Sequence, residues 1–436
     1  MILADLLRGA LGIIVLLSIA YLVSINRRAI NWRLIGMGLA LQILFAIFVL
    51  KISYGQWFFG QISAVFVTIL NFTSEGAEFV FGDLARGPEK EDSFGFFFAF
   101  QVLPTIIFFA SLMGVLYHLN VMQKVVQGMA WVMAKTMRTS GAESLSVAAN
   151  VFIGQTEAPL VVRPYIAGMT RSELLALQTG GMATIAGGVL AAYVQMLGFA
   201  WAQAQGWEVT QAQQLFAGQL LAASVMAAPG ALIFAKIMIP ETQESETKGS
   251  VKVHVEKTAV NVIEAAASGA SMGMKLALNV AAMLLAFIAL LALVNYFIGG
   301  AGNLLGIEGL TLETILGYIL APITFAIGVP WSDAVQVGSL VGTKVVLNEF
   351  VAYLQLAELI PEGVLSDKAV LMSTFALCGF ANFASIAIQL GGIGPLAENR
   401  RSELAKNGLR AVLGGTLATM QNAAIAGALI HVPQLF

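Results

Sequence analysis

The sequence predicts an all-α polytopic membrane protein with eight transmembrane helices and two re-entrant helical hairpins of opposite orientation. Of its 436 residues, 58% are hydrophobic and only 11% are charged, whereas a soluble protein carries about 25% charged residues. Its mean hydropathy is +0.83. Several apolar runs reach the length of about 20 residues that a spanning helix needs. Two further apolar stretches are shorter, and each is interrupted by a glutamate.

The ionisable and sulfur side chains exclude several classes of protein. Cys378 is the only cysteine, which excludes an internal disulfide and a multi-cysteine metal site. The three histidines are scattered, without the ligand spacing of zinc or iron sites. The net charge of −2 favours no charged partner, and we expect no nucleic acid polymer to bind. Asp5 and Arg8 precede a long apolar run without a clear cleavage site, so we expect a first membrane helix there.

Apolar runs and their interruptions predict the order of the helices. The eight predicted spans are residues 9–25, 34–50, 94–119, 174–200, 211–235, 276–304, 369–397 and 411–430. Residues 57–70 are apolar but short, and residues 315–332 are interrupted by Pro322 and Pro330, so we expect both to be interfacial helices. Residues 121–139 mix basic and apolar side chains, which is typical of an amphipathic surface helix.

The first interrupted stretch, residues 150–165, contains Gly154-Gln-Thr-Glu-Ala-Pro159. Its uncharged flanks are too short to cross a bilayer, and Glu157 and Arg163 interrupt it. Polar groups on broken helices are tolerated at membrane depth only when they are buried in protein or line a wet cavity. We therefore predict a re-entrant hairpin that carries a binding site. The alternative is a surface loop between two buried helices.

The second half of the chain repeats this order. Residues 333–358 form an interrupted segment around Glu349, and the following span has Asn382 and Ser385 at its midpoint. In the first half the corresponding span has Thr184 at its midpoint. Paired interrupted segments in corresponding positions indicate the binding site of an inverted-repeat transporter. A chance similarity between two apolar stretches is the alternative.

The distribution of basic residues predicts the orientation. If the loop with Arg27, Arg28 and Arg33 is cytoplasmic, eight spans leave 17 of the 23 Lys and Arg residues inside. This is a strong positive-inside bias. The first hairpin then enters from the cytoplasm and the second from outside. A ninth span at residues 315–332 would place the basic segment 400–410 on the outer side of the membrane. We therefore reject a ninth span.

Paired glycines surround Thr184 within residues 179–188. Glycine commonly allows close helix packing in membranes. The same pattern is typical of a helix that unwinds and offers its carbonyl oxygens to an ion. The sequence alone leaves both interpretations open.

Four motifs resemble the concentrative nucleoside transporter family. They are Gly154-Gln-Thr-Glu-Ala-Pro159, Ser224-Val-Met-Ala-Ala-Pro229, Asn348-Glu-Phe-Val-Ala-Tyr353 and Gly379-Phe-Ala-Asn-Phe-Ala-Ser385. The resemblance extends from about Phe94 to the C-terminus. It implies a homotrimer in the bilayer, with a static scaffold and a mobile transport domain that moves its site like an elevator. It also implies symport of nucleosides such as uridine with sodium or, in some members, protons, across the inner membrane of a bacterium.

By the same resemblance, residues 1–120 are mainly scaffold and residues 121–240 form the first transport repeat. Residues 241–310 are a linker and a scaffold span, and residues 311–436 form the second transport repeat. The implied base-binding residues are Gln155, Thr156 and Glu157, with Val189 packing against the base. The implied ribose-binding residues are Glu349, Asn382 and Ser385, with Phe380 beside them. The implied sodium ligands are the carbonyls of Asn150, Ile153 and Ile185 and the Thr184 side chain.

Other functions remain as alternatives. Threonine at position 184 keeps the hydroxyl of the serine in sodium-coupled relatives but adds a methyl group, so a proton-coupled nucleoside or nucleobase carrier is one alternative. A membrane-embedded enzyme could use Glu157 and Glu349 as an acid and base pair, but no nucleophile–histidine pair accompanies them. A channel is the third. We expect Cys378 to serve packing and the aromatic cluster at residues 94–98 to contact lipid or scaffold.

Overall fold

A computed structural model describes residues 2–87, 94–248 and 259–430. In these ranges the chain forms sixteen α-helices of ten residues or more and no β-strand. The charge count above included Lys90, Lys252 and Lys257, which lie outside the described residues.

The first half contains nine helices, of which α7 and α8 together form the fourth predicted span and α5 the predicted surface helix. They are α1 (Ile2–Leu22), α2 (Trp32–Lys51), α3 (Ser53–Phe81), α4 (Leu103–His118), α5 (Val121–Met137), α6 (Gly141–Asn150), α7 (Arg171–Ala183), α8 (Gly187–Gln205) and α9 (Val209–Met238). A single helical turn, Phe98–Gln101, precedes α4. Helices α1, α2, α4 and α9 are the first, second, third and fifth spans.

The second half contains seven helices, of which α12 and α13 form the second hairpin and α14 and α15 the seventh span. They are α10 (Val262–Leu304), α11 (Leu312–Ala326), α12 (Trp331–Val346), α13 (Glu349–Glu362), α14 (Asp367–Leu377), α15 (Phe383–Ile393) and α16 (Arg401–Leu429). Helices α10 and α16 are the sixth and eighth spans.

Helix α3 is longer than the interfacial helix predicted at residues 57–70. It extends over 29 residues, from Ser53 to Phe81, and is long and apolar enough to cross a membrane by composition. The helix continues past Leu70 through the polar residues Thr73, Ser74 and Glu75. It ends at Gly82, whose φ of +60° lies in a region that favours glycine.

Helix α16 begins ten residues before its predicted start and is not apolar enough to be recognised as a span by hydropathy alone. Several of its polar side chains, including Asn407, Thr419, Gln421 and Asn422, are buried. A spanning helix surrounded by other helices does not need a continuous apolar surface, because its polar groups find protein partners.

Helices α11 and α12 meet at an angle of 120°. Gly328, with a φ of +112°, and Pro330 separate them, and proline disfavours helical conformation in the residue before it. The bend confirms that residues 315–332 are not a straight ninth span. It also moves the hairpin boundaries outward, because α12 begins at Trp331 and α13 extends to Glu362.

The hairpins open toward opposite ends of the bundle. The open end of the first hairpin lies beside the α9 terminus, since Gly141 N–H donates to the Thr247 carbonyl over 2.9 Å. The end of α1 lies at the same side of the bundle, because the N–H of Ile25, three residues after α1, donates to the carbonyl of Met238 at the end of α9 over 3.0 Å. The second hairpin opens beside the start of α1, where Asp5 and Lys368 form an ion pair of 2.6 Å. The predicted inversion of the two hairpins is therefore confirmed.

Both transport-repeat spans are broken in the middle. Helices α7 and α8 are separated by residues 184–186, and α14 and α15 by residues 378–382. The two breaks touch, because Phe380 N–H donates to the Thr184 carbonyl over 3.2 Å. Gly379 permits this approach, since a Cβ there would lie 2.8 Å from the Met182 carbonyl oxygen. The glycine-rich segment therefore unwinds, and its glycines also allow close packing, since a Cβ on Gly180 would lie 2.8 Å from the Val147 side chain.

Small residues allow close packing around this centre. A Cβ on Gly269 of α10 would lie 2.6 Å from the Ala110 carbonyl oxygen of α4, so these two helices approach backbone to backbone. Helix α2 packs on α9 and α16 through Gln42, whose amide donates to the Met226 carbonyl and the Asn422 side chain over 2.9 Å each. Much of α10 is exposed, with Leu285 and Tyr296 directed outward.

Candidate functional site

The tip of the first hairpin follows α6 directly. Ser140 and Glu143 form a capping box that fixes the start of this helix, and Asn150 is its last residue. The Glu157 carboxylate lies over Gly154, where any Cβ would collide with it. Pro159 stands in the first turn of the 3₁₀ segment Ala158–Val162, which begins the returning limb. Glycine and proline thus bracket the polar tip and keep it from continuing as a helix.

The tip of the second hairpin is shorter, with two residues between α12 and α13. Asn348 caps α13, since its side chain accepts from Val351 N–H over 2.9 Å. Glu349 is therefore the first residue of α13, where the helix dipole stabilises a carboxylate. Asn382 caps α15 in the same way, accepting from Ser385 N–H over 2.8 Å. Two helix N-termini consequently converge on the predicted ribose-binding residues.

Glu349 has two side-chain donors within the protein. Tyr193 O–H donates to Glu349 Oε1 over 3.0 Å, and Asn382 Nδ2 donates to Oε2 over 3.2 Å. The Tyr193 ring stacks on Tyr353 with a centroid distance of 4.2 Å, which fixes the position of its hydroxyl. The structure therefore brings Glu349 and Asn382 together as predicted. Tyr193 was not predicted, because nothing near it in the chain indicates a polar partner.

A chain of amides joins the two repeats. Gln155 Nε2 donates to Ser385 Oγ over 3.0 Å, and Gln389 Nε2 donates to Gln155 Oε1 over 3.1 Å. Gln389 also donates to the Gln178 carbonyl of α7 over 2.9 Å. Gln389 was not among the predicted site residues. Its spacing from Asn382 and Ser385 on α15 could have found it, since the three residues share one helical face.

The remaining predicted substrate-binding residues surround these two networks. Val189 is buried in the first turn of α8, whereas Thr156, Glu157 and Phe380 are half-buried. Thr156 packs against Gly392 of α15, where no Cβ would fit without displacing its methyl group. The first hairpin tip, the α7–α8 break and the α14–α15 break therefore face a common region.

The predicted sodium ligands lie where two helices end. Asn150 ends α6, and Thr184 follows the last residue of α7. The two segments are connected, because Gly187 N–H donates to the Phe152 carbonyl over 3.2 Å. Two helix C-termini bring partial negative charge to this point, an environment that favours a cation over an anion.

The side chains at this point fit an alkali cation. Asn150 Nδ2 donates to the Ser146 carbonyl over 2.9 Å, while Asn150 Oδ1 is buried without a hydrogen-bond partner among the described residues. Thr184 Oγ1 donates to the Gly180 carbonyl over 2.9 Å, and its lone pairs remain available to a ligand. Hard cations prefer such oxygen ligands. Within the described residues, no cluster of three or more His, Cys, Asp or Glu side chains competes as a metal site.

The aromatic cluster before α4 contacts the transport repeats directly. Phe98 meets Phe350 edge to face at a centroid distance of 5.4 Å, and Phe96 lies 6.0 Å from Phe199 of α8. Phe350 follows Glu349 immediately. Cys378 is buried and its Sγ lies 3.7 Å from Ser224 Oγ, consistent with the expected packing role.

Inverted hairpins and two broken helices that meet at a polar site define a secondary transporter of the inverted-repeat class. Three family models match the chain. They are described as Na⁺ dependent nucleoside transporter N-terminus at residues 11–84, nucleoside recognition at 99–200 and Na⁺ dependent nucleoside transporter C-terminus at 219–427. The chain belongs to the concentrative nucleoside transporter family, for which sodium is the coupling ion named in the family descriptions.

Curated relatives agree with this membership. The chain is 46% identical over 427 residues to the uncharacterized transporter YutK of Bacillus subtilis, covering 98% of this chain and 100% of that protein. It is 41% identical over 428 residues to the nucleoside permease NupC of Helicobacter pylori, covering 97% of each. Sodium/nucleoside cotransporter 1 of Rattus norvegicus is 41% identical over 97% of this chain and 63% of its own length. Because these relatives are transporters or permeases, the chain is a transporter and not an enzyme.

Solved structures of CNTnw are similar over nearly the full length. The inward-facing substrate-bound state has a TM-score of 0.87 and 44% identity, covering 98% of each chain. A doubly substituted variant in an outward-facing state has a TM-score of 0.88 and 43% identity, covering 97% of each chain. These similarities confirm the predicted fold class of an all-helical polytopic membrane protein with two inverted hairpins.

Proposed function

We propose that this protein imports nucleosides such as uridine across the bacterial inner membrane, driven by a sodium gradient through an elevator-type movement. The observation that carries the proposal is the hydrogen bond between Gln155 and Ser385. It joins the first hairpin tip to the α14–α15 break, beside the Glu349 and Asn382 pair. Polar groups from both repeats are thereby available to one ligand.

The chemistry of these groups suits a nucleoside. A nucleoside is neutral overall and carries donors and acceptors on both its base and its sugar. Gln155, Thr156 and Glu157 can pair with the base while Val189 packs on its face. Glu349, Asn382 and Ser385 can pair with the ribose hydroxyls, with Phe380 alongside. Buried polar groups of this kind reject ligands that leave them unpaired, so specificity for the complete nucleoside follows.

Sodium is assigned to the meeting point of α6 and α7. The proposed ligands are the carbonyls of Asn150, Ile153 and Ile185 and the Thr184 hydroxyl. The unpartnered Asn150 Oδ1 supports a cation there. Sodium supplies the positive charge that offsets the two helix C-termini, and its binding orders the hairpin tip that reads the base.

The proposed moving body comprises residues 121–240 and 311–436, and residues 1–120 and 241–310 form mainly the scaffold. The exposed apolar surface of α10 supports a role as the outer wall, against lipid or against neighbouring protomers of a homotrimer. Helix α2 packs closely on α9 and α16 through Gln42, so this contact must slide or move with the transport repeats.

The test is radiolabelled uridine uptake by purified protein in liposomes, with sodium and proton gradients imposed separately. We expect uridine to accumulate above its external concentration only with the sodium gradient, and to be recovered chemically unchanged. A dependence on the proton gradient alone would favour the proton-coupled alternative. Equilibration without accumulation under either gradient contradicts a symporter.

A further inference from the structure

A lysine lies at the centre of the second transport repeat, deep in the bundle. Lys344 is in the last turn of α12 and its side chain is fully buried. Its Nζ donates to the Ala376 carbonyl and to Thr419 Oγ1, each over 2.8 Å. Thr419 in turn donates its hydroxyl proton to the Thr416 carbonyl over 3.0 Å, so its oxygen is oriented to accept. A buried ammonium is costly unless such partners compensate it.

The position of Lys344 corresponds to the proposed sodium site of the first repeat. In the first repeat, α6 ends at the hairpin tip and α7 ends at the break in its span. In the second repeat, α12 and α14 end at the corresponding points, and Ala376 lies in the last turn of α14. The Lys344 ammonium thus stands where two helix C-termini converge, the environment that stabilises a cation.

We propose that the Lys344 ammonium is a tethered cation, which takes in the second repeat the place that sodium takes in the first. This inference rests on the proposed sodium symport. Lys344 acts as a positioning residue and does not itself touch the nucleoside. It holds the second hairpin against the Ala376 carbonyl at the end of α14 and against Thr419 of α16.

A charge fixed by a covalent bond has consequences that an exchangeable ion does not. Glu349 begins the adjoining helix α13, five residues after Lys344 in the chain. The second hairpin therefore keeps a compensating charge for Glu349 through the whole cycle. It needs no second sodium ion, and only the first hairpin binds and releases a cation. The expected coupling is one sodium ion for each nucleoside.

Two substitutions separate a tethered cation from a simple packing role. Lys344→Met keeps most of the volume but removes the charge, whereas Lys344→Ala removes both and opens a cavity beside the Ala376 carbonyl and Thr419. We expect each variant to lose at least about tenfold in sodium-driven uridine uptake, because the Glu349 charge and the buried carbonyl lose their partner.

The decisive measurement is rescue by a small amine. Ethylammonium added on both sides of the liposomes should restore uptake by Lys344→Ala several-fold. It should leave Lys344→Met, whose side chain fills the cavity, and the wild type unchanged. Without amine, a second sodium ion can enter the cavity of Lys344→Ala. Its sodium activation curve should then steepen from a Hill coefficient of about 1 toward about 2.

Three outcomes overturn the inference. The first is wild-type uptake and an unchanged sodium curve in Lys344→Met. The second is a folded Lys344→Ala variant whose uptake is not restored by ethylammonium and whose sodium activation curve does not steepen. If both variants aggregate, Thr419→Val and Thr419→Ser decide. Loss of uptake in Thr419→Val but not in Thr419→Ser supports the inference. Wild-type uptake by Thr419→Val is the third contrary outcome.

Failure of the proposed function is visible separately. A wild-type protein without sodium-driven uridine uptake contradicts the symport proposal before any variant is made, and the tethered-cation inference falls with it. A wild type with sodium-driven uptake, combined with any of the three contrary outcomes, contradicts only the role of Lys344.

Discussion

The Phe380 amide and the Thr184 carbonyl share a hydrogen bond of 3.2 Å, which joins the breaks of the two inverted repeats. Thr184 carries the proposed sodium ligand, and the Asn382 N–H donates to the Phe380 carbonyl over 2.9 Å. Two backbone hydrogen bonds therefore connect the proposed sodium site to Asn382, the proposed ribose ligand. This short path gives sodium and nucleoside a physical reason to bind together, since each ligand fixes a segment that the other requires.

The first prediction concerns the Thr184 hydroxyl. Thr184→Val preserves shape and removes one proposed sodium ligand, so the sodium concentration for half-maximal uptake should rise while residual uptake continues. The matched control is Thr184→Ser, which keeps the hydroxyl and should behave like the wild type. The measurement is the initial rate of uridine uptake against sodium concentration. Identical curves for the valine variant and the wild type would show that the hydroxyl is not a ligand.

The second prediction concerns Tyr193, which reaches Glu349 from α8. Tyr193→Phe keeps the ring stacked on Tyr353 and removes only the hydroxyl that donates to Glu349 Oε1. A hydrogen bond to a charged group contributes about 1.5–3 kcal/mol, so uridine affinity should fall by about tenfold or more. Tyr353→Phe is the control for loss of a nearby hydroxyl, because that group donates instead to the Thr374 carbonyl. Equal effects of the two substitutions would contradict the specific role of Tyr193.

The sequence predicted the elements whose cause is local. Hairpin tips follow from glycine, proline and capping residues, and the break at Thr184 follows from paired glycines. Asn150, Gln155, Glu349, Asn382 and Ser385 also stand where their motifs indicated, at helix ends beside the breaks. These features depend on a few neighbouring residues, so the chain itself records them.

Features that depend on distant partners could not be predicted in this way. Gln389 meets Gln155 across 234 positions of the chain, and Gln42 meets Asn422 across 380. The polar composition of α16 suggested a later start, because its buried partners lie on other helices. In the sequence, Lys344 was only one of the six Lys and Arg residues not assigned to the cytoplasmic side, although its ammonium donates to the Ala376 carbonyl and to Thr419 inside the bundle.

The third prediction concerns movement of the transport repeats. The repeat pattern alone suggests Met137 and Leu365 as positions for cysteine labelling. Both side chains are buried in the structure, so a label could not reach them. Lys135 on α5 and Val364 at the end of the second hairpin are exposed and provide better positions. In a Cys378→Ala background, cysteines at these two positions should change their labelling rates in opposite senses when sodium and uridine are added. Rates that never respond to either ligand contradict a moving domain.

The fourth prediction tests which end of the nucleoside meets Glu349. Glu349→Gln keeps the volume and removes the charge, so uridine affinity should fall by about 10- to 150-fold, the range expected for one hydrogen bond to a charged group. A nucleoside that lacks the ribose hydroxyl accepted by Glu349 should lose much less in the same variant, because the substitution and the missing hydroxyl delete one shared contact.

Free uracil provides the matched control for this assignment. It leaves Glu349 and Asn382 desolvated without a ribose partner, a situation that costs binding free energy, so it should compete poorly with uridine for the wild-type protein. Competition assays with uridine, deoxyuridine and uracil on the wild type and the Glu349→Gln variant complete the cycle. Strong competition by uracil, together with additive losses for deoxyuridine and the variant, would remove Glu349 from the ribose and identify a nucleobase carrier.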